Sequence, residues 1–93
     1  MKTEKISKIF KALGHPTRIK ILEHLLKINS CVCGEIVTIF PYSQSTISQH
    51  LKLLKESGII NGEVEGPKTC YCIDEHILDE FKKYVANLKH GVK

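Results

Sequence analysis

Features that would indicate an enzyme, an exported protein or a membrane protein are missing from this chain of 93 residues. No apolar run approaches the roughly 18 residues that a membrane span needs, and the start, MKTEKISKIF, has no apolar core of the signal-peptide kind. There is no Ser/His/Asp arrangement, glycine-rich phosphate loop or paired-carboxylate motif. We therefore expect a cytoplasmic protein that is neither an enzyme nor membrane-bound.

The chain also lacks internal repeats, low-complexity tracts and linkers, so we expect one domain over residues 1–93. A domain of this size buries a modest core and often gains stability from a partner subunit. In a chain that is not exported, the 4 cysteines are expected to be thiols, metal ligands or redox sensors rather than structural disulfides. The net charge of +4 makes nucleic acid a candidate partner, because lysine and arginine bind phosphate.

The spacing of apolar residues first predicts helices. Gly14 and Pro16 separate the first two helices, because proline is tolerated in the first turn of a helix. A short third helix is expected over residues 34–40, with Ile36, Ile39 and Phe40 pointing inward. Ser43 is a good N-cap for a fourth helix, and Gly58 ends it.

Alternating apolar residues then predict two β-strands, joined by a turn at residues 65–68. Gly62 marks either a bulge or a flexible point in the first strand, and Tyr71 and Ile73 are the expected core positions of the second. Asp74 is a natural cap for a last helix. The fold class is therefore mainly α with a β-hairpin, in the order α-α-α-α-β-β-α.

The third and fourth helices, joined by a turn of about four residues, have the arrangement of a helix-turn-helix. There the second helix enters the DNA major groove by its N-terminal end, and the hairpin after it would form a wing. Glutamine can pair with adenine, and serine or threonine can contact base edges or phosphate. The candidate DNA-binding residues are Gln44, Ser45, Thr46, Ser48, Gln49, His50, Lys52, Lys55 and, at the tip of the wing, Lys68.

Three stretches, ALGHPTRIKILEHLL, YSQSTISQHLKLLKESGII and EGPKTCYCIDEH, resemble the arsenic-repressor (ArsR) family of winged-helix transcription factors. The resemblance implies a homodimer, joined through the first and last helices, that binds palindromic operator DNA. It also implies repression of resistance or transport genes until an inducer, often a metal ion, releases the protein. The apolar stripes of the two helices suit that interface, and they suit an intramolecular core equally well. The stripe of the first helix is Ile6, Phe10 and Leu13, and that of the last helix is Leu78, Phe81 and Val85.

The first Cys-x-Cys pair lies before the third helix. Relatives that sense arsenic or soft metals look like ELCVCDLC there. Cys31 and Cys33 match the first two of those thiols, and Ile36 stands where the third would fall. The pair alone is therefore incomplete as a three-thiolate site for arsenite or antimonite. Residues i and i+2 of a helix point in different directions, so both thiols can bind one ion only if this segment is not helical.

The second pair, Cys70 and Cys72, falls on the second predicted strand, where i and i+2 share a face. Their Cβ atoms, about 6–7 Å apart, are too distant for a disulfide with each other but suit two ligands of one soft ion. Both should face away from the core. Cys70, Cys72 or a small external thiol could complete a site for arsenite, antimonite, cadmium or zinc with Cys31 and Cys33. If both pairs take part, a four-thiolate zinc site is also possible. They could instead sense oxidation or reactive sulfur, or be inert.

A second candidate metal site comprises Asp74, His76 and His90. Zinc-sensing relatives resemble this Asp-x-His followed by two further ligands, and Asn87 stands where one of those would fall. The resemblance implies that such ligands come from two subunits. The N-cap role of Asp74 explains that residue equally well. No cofactor is needed for the fold.

A winged helix that binds another protein instead of DNA is the alternative from a different functional class. The fourth helix would then be expected to lack small polar residues and basic neighbours, and it has both. A redox or reactive-sulfur regulator is a further alternative. Relatives of that type look like proteins with a cysteine pair, one in an early helix and one in the last helix, and the last helix here has none.

Overall fold

The structure, a computed structural model, describes residues 1–28, 31–33, 39–65 and 68–90. Within these residues the helices are α1 (Thr3–Ala12), α2 (Pro16–Ile28), α3 (Gln44–Ser57) and α4 (Glu75–Ala86). The strands are β1 (Val32–Cys33), β2 (Ile60–Glu65) and β3 (Lys68–Ile73). The short helix predicted over residues 34–40 falls mostly on residues 34–38, outside the described residues. Among the helices described, none has the length and apolar character needed to span a membrane.

Residues that the sequence predicts as caps lie at the ends of the helices. The Ser43 hydroxyl accepts a hydrogen bond from the Thr46 backbone N–H at 3.3 Å, at the start of α3. Gly58 ends that helix in the left-handed conformation, with φ of 90°. The Asp74 carboxylate accepts from the Ile77 backbone N–H at 3.1 Å, at the start of α4. All three predicted caps are confirmed.

The hairpin of β2 and β3 is regular. Its antiparallel register runs one residue against one, from Ile60 opposite Ile73 to Glu65 opposite Lys68, so the bulge predicted at Gly62 is wrong. Gly62 instead allows a close approach. A Cβ atom at this position would lie 3.3 Å from the Lys55 side chain, which crosses the strand from α3.

The fold class is confirmed, but the sheet has a third strand that sequence patterning does not predict. Its order is β1-β3-β2, and β1 pairs with β3 antiparallel, with Val32 opposite Tyr71 and Cys33 opposite Cys70. A strand of two residues is too short to show an alternating pattern. This pairing joins the segment before the predicted helix-turn-helix to the wing.

One hydrophobic core connects the helices to the sheet. Tyr71 and Ile73 of β3 pack against this core, as predicted. Phe40, which precedes the third described helix, also packs against it. Ile39, expected to point inward beside Phe40, is exposed. The side chains with almost no exposed surface come from α1, α2, α3, β1, β2 and the residue before β2: Ile9, Ile21, Leu25, Val32, Ile47, Leu54, Ile59 and Ile60.

Two neighbouring leucines of α2 allow a matched test of this core. Leu25 is 0% exposed and Leu26 is 43% exposed. We expect Leu25→Ala to lower the free energy of unfolding by about 2–5 kcal/mol, because it removes buried methyl groups and leaves a cavity. Leu26→Ala should change it by about 1 kcal/mol or less. Urea denaturation followed by circular dichroism measures both, and equal losses would contradict the assigned orientation of α2.

Candidate DNA-binding surface and cysteine site

The helix α3, called the recognition helix below, has one buried row and one polar face. Ile47, Leu51 and Leu54 recur at helical spacing and are buried in the core. The opposite face is exposed. Of the residues in this helix that the sequence predicts for DNA binding, Thr46 and His50 are half-buried. The others are exposed: Gln44, Ser45, Ser48, Gln49, Lys52 and Lys55.

The hydroxyls at the start of the recognition helix are engaged with one another. The Ser43 hydroxyl lies 2.9 Å from the Thr46 hydroxyl and 3.2 Å from the Ser45 hydroxyl. Ser45 and Thr46, both candidate DNA-binding residues, therefore help to shape the N-cap. Gln44 and Ser48, one helical turn apart on the exposed face, have no such partner among the described residues.

His50 contacts Arg18 of α2 and His15, which directly precedes that helix. The Arg18 guanidinium Nη1 lies 3.1 Å from His50 Nδ1, and the His15 ring lies 4.6 Å from the His50 ring, centre to centre. Burial lowers the pKa of His50, and the nearby His15 and Arg18 lower it further. Arg18 was not among the residues predicted from sequence, because nothing in a one-dimensional pattern connects positions 32 residues apart.

The wing is placed beside the recognition helix by its first strand, since β2 begins two residues after Gly58. Lys68 begins β3 opposite Glu65, at the end of the hairpin. Its backbone therefore lies at the tip, as predicted, while its side chain lies outside the described part of the structure.

The two Cys-x-Cys pairs meet across β1 and β3. Cys31 and Cys72 form a disulfide with their Cα atoms 4.3 Å apart, and Cys33 lies opposite Cys70 in the strand register. We call these four residues the cysteine ladder. The prediction of thiols rather than disulfides is therefore wrong for this structure, in which Cys70 is also disulfide-bonded. The cause is the register, which brings opposing cysteines to the separation of about 4.5 Å typical of close antiparallel pairs.

The two ends of the cysteine ladder differ in exposure. Cys31 is exposed and Cys72 is half-buried, whereas Cys70 is only 6% exposed. The expectation that Cys70 faces solvent is therefore wrong. It lies outside the main apolar core, but β3 is the central strand of the sheet, with a neighbour on each side. The requirement that residues 31–33 be non-helical is met, because β1 is extended.

The second candidate metal site is dispersed within one chain. Asp74 caps α4, and the exposed His76 places Nε2 2.8 Å from the Glu80 carboxylate, one turn further along that helix. His90 lies beyond the end of α4. Among the residues described, no three His, Cys, Asp or Glu side chains are grouped to hold a metal ion. Assembly of this site from two subunits stays a prediction.

The first and last helices contact each other through aromatic rings. The Phe10 ring lies 5.5 Å from that of Phe81 and 6.4 Å from that of Tyr84, both edge-on. Phe10 is nevertheless exposed over part of its surface, and Val85 and Leu88 of the last helix and the segment after it are also exposed. The outer parts of the two predicted stripes therefore form an apolar surface.

Comparison with known proteins agrees with this geometry. The profile of the "Bacterial regulatory protein, arsR family" matches residues 15–62. The chain is 42% identical over 88 residues to the uncharacterized HTH-type transcriptional regulator MJ1325 of Methanocaldococcus jannaschii, covering 94% of this chain and 98% of that protein. It is 42% identical over 80 residues to a Staphylococcus aureus homolog of the cadmium resistance transcriptional regulatory protein CadC, covering 84% of this chain and 65% of that one.

A solved structure has the same fold. The ArsR family transcriptional regulator RHA00566 superposes with a TM-score of 0.80 at 23% identity, over 92% of this chain and 88% of that chain. The sequence relatives are transcriptional regulators, not enzymes, and several are named transcriptional repressors. The chain therefore belongs to the arsR family of bacterial regulatory proteins, and it is a DNA-binding transcriptional repressor with a winged helix-turn-helix fold.

Proposed function

We propose that this repressor binds operator DNA as a cytoplasmic homodimer and is released when a soft metal ion or metalloid binds the cysteine ladder. The main support is the register of β1 and β3, which brings together two Cys-x-Cys pairs that are distant in sequence. The ladder connects the segment before the recognition helix to the wing. A ligand there acts on both ends of the DNA-binding surface.

The recognition helix is the proposed reader of the DNA major groove. Its N-terminal turn presents Gln44, and Ser48 follows on the same exposed face, with Lys52 one turn further on. A glutamine amide can pair with adenine through two hydrogen bonds, and a lysine ammonium neutralises a phosphate. The exposed face thus combines residues that read bases with a residue that positions the helix on the backbone.

The chemistry of the cysteine ladder selects the class of inducer. Thiolates bind soft ions such as cadmium, zinc, arsenite and antimonite in preference to magnesium or calcium. Both the Cys31–Cys72 disulfide and the disulfide of Cys70 must first be reduced, and for each one a cellular dithiol supplies two electrons and two protons and is itself oxidised to a disulfide. Cys72 then adds a thiolate from the wing where Ile36 fails to provide one. The likeness to a cadmium-resistance regulator supports cadmium within this class.

A second candidate function is supported by the disulfide itself. Exchange of Cys31 and Cys72 thiols with a low-molecular-weight disulfide would form the bond seen here and release two small thiols. The bond would hold β1 against β3 without any ion. In this case oxidation, not a metal ion, releases the operator.

The proposed dimer interface is the apolar surface of the first and last helices. Phe10, Val85 and Leu88 are exposed there in the single chain. A second copy would cover them, because a symmetric dimer buries the same patch on both subunits. The dimer also allows the zinc site proposed at Asp74, His76 and His90 to be completed by ligands from the partner.

For DNA binding, we expect Gln44→Ala and Ser48→Ala each to weaken affinity for the operator. Loss of a good base contact costs about 1–3 kcal/mol, or roughly 5- to 150-fold. Lys52→Ala should weaken binding to all sequences and reduce the salt-dependence slope by about 1. Gel shifts with the DNA upstream of the chain's own gene measure these changes, and Lys20→Ala, at an exposed position of α2, is the control. Unchanged binding by Gln44→Ala and Ser48→Ala would exclude the recognition helix as the reader.

For the dimer, we expect wild type to sediment at twice the chain mass and Val85→Glu to sediment as a monomer. The substitution buries an unpaired charge at the proposed interface. Ile19→Glu is a matched control, because Ile19 is 43% exposed and Val85 is 42% exposed, on different helices. Analytical ultracentrifugation measures all three proteins. A dimeric Val85→Glu, or a monomeric Ile19→Glu, would place the interface elsewhere.

For the inducer, we expect the reduced protein to bind cadmium with sulfur-to-metal charge-transfer absorption. Cys31→Ser and Cys70→Ser should each weaken binding at least about tenfold. Loss of a residue that only supports a metal ligand can already have an effect of this size. His24→Ala, which changes a histidine of α2 outside both proposed metal sites, should bind as wild type. Zinc, arsenite and antimonite titrations establish which ion binds most tightly.

If neither serine variant changes the binding of any of these ions, the ion-sensor proposal fails. The second candidate is tested with no ion present. Oxidised glutathione should then lower operator affinity of wild type, a reductant should restore it, and Cys72→Ser should not respond.

A further inference from the structure

Arg18 connects three helices at a point that no sequence motif indicates. Its Nε donates a hydrogen bond to the Ala12 carbonyl at 2.6 Å, and its Nη1 lies 3.1 Å from His50 Nδ1. Ala12 is the last residue of α1, where a carbonyl has no partner within its own helix. The half-buried guanidinium therefore binds the end of α1 with one nitrogen and the recognition helix with another.

This contact determines which nitrogen of His50 holds the proton. A guanidinium has only N–H donors, so His50 Nδ1 must be the acceptor and must be unprotonated. A neutral imidazole has a single N–H, which is then on Nε2. A positively charged His50 would direct an Nδ1–H at the guanidinium and lose the hydrogen bond.

The Nε2–H of His50 is available to a ligand. The hydrogen bond of the His50 side chain uses Nδ1 only. Among the described residues no buried side-chain nitrogen or oxygen lacks a hydrogen-bond partner. Nε2 therefore reaches solvent, on a residue that lies one turn beyond Thr46 on the recognition helix.

We propose that Arg18 is a positioning residue that fixes His50 as the Nε2–H tautomer, so that His50 presents a single hydrogen-bond donor to an acceptor on operator DNA. The acceptor is either a phosphate oxygen or a base-edge acceptor of the major groove, such as guanine N7 or O6 or thymine O4. This inference rests on the proposed function, because it takes the recognition helix as the element that meets DNA. His15 assists: its own Nδ1 accepts the Thr17 backbone N–H at 3.1 Å, which holds its ring beside that of His50.

The tautomer is measured directly by two-bond ¹H–¹⁵N correlation spectra of the histidine rings, at a pH where His50 is neutral. We expect His50 of wild type to show an unprotonated Nδ1 and a protonated Nε2, with no averaging between tautomers. Arg18→Met keeps an unbranched apolar chain but removes the donors. In that variant the two ¹⁵N shifts of His50 should move toward each other, because both tautomers become populated. A wild-type His50 protonated on Nδ1 would overturn the proposal.

Two substitutions of His50 separate the roles of its nitrogens. Asparagine can offer an oxygen near the Nδ1 position to Arg18 but has no group at Nε2, whereas glutamine can place an N–H near Nε2. We expect His50→Asn to weaken operator binding roughly 3- to 10-fold per half-site, the range for one net hydrogen bond. His50→Gln should retain more of the wild-type affinity. Equal affinities of wild type and His50→Asn would contradict the proposal.

Binding to an unrelated duplex distinguishes the two acceptors. An equal loss for His50→Asn on operator and unrelated DNA indicates a phosphate oxygen, and a loss confined to the operator indicates a base edge. Gln44→Ala serves as the reference for the proposed function. If Gln44→Ala weakens binding and His50→Asn does not, only the inference about Arg18 and His50 fails. If neither weakens binding, the recognition helix itself is misassigned.

Discussion

The recognition helix is held in the protein by one narrow row of buried side chains, and the rest of the structure depends on that attachment. Ile47, Leu51 and Leu54 enter the same core as residues of α1 and α2. Burial of each side chain stabilises the fold by about 1.5–3 kcal/mol. The opposite face must stay polar and unpaired to meet DNA, so it contributes little to stability. Hydrophobic burial thus fixes the helix from one side.

Two further links constrain the recognition helix. Arg18 connects His50 to the first two helices, and the hairpin that follows Gly58 connects the helix to the wing. The wing is in turn joined to the segment before the helix-turn-helix through Cys31 and Cys72. A ligand at the cysteine ladder would therefore contact parts of the chain that both precede and follow the recognition helix. That continuity gives a physical route from an inducer to DNA affinity.

Local rules predict most of the fold from the sequence. Ser43 and Asp74 begin their helices through side-chain hydrogen bonds, Gly58 ends one in the left-handed conformation, and the apolar spacing identifies the buried row of the recognition helix. Pairings distant in sequence could not be derived in the same way. β1 is too short to show a period, so the sequence allowed a site shared by Cys31 and Cys72 but could not determine that they meet across 41 residues. The contact of Arg18 with His50 depends on the packing angle of two helices, which the spacing of residues along one helix does not define.

The central claim is that the cysteine ladder and the DNA-binding surface are energetically coupled. Operator affinity of the fully reduced protein, measured at one salt concentration with and without saturating cadmium, tests this coupling directly. Coupling of the usual size, about 1–3 kcal/mol, predicts a 5- to 150-fold loss of operator affinity with cadmium bound. Operator-bound protein should then bind cadmium more weakly by the same factor. Cadmium that occupies the cysteines while operator affinity stays unchanged would contradict the account.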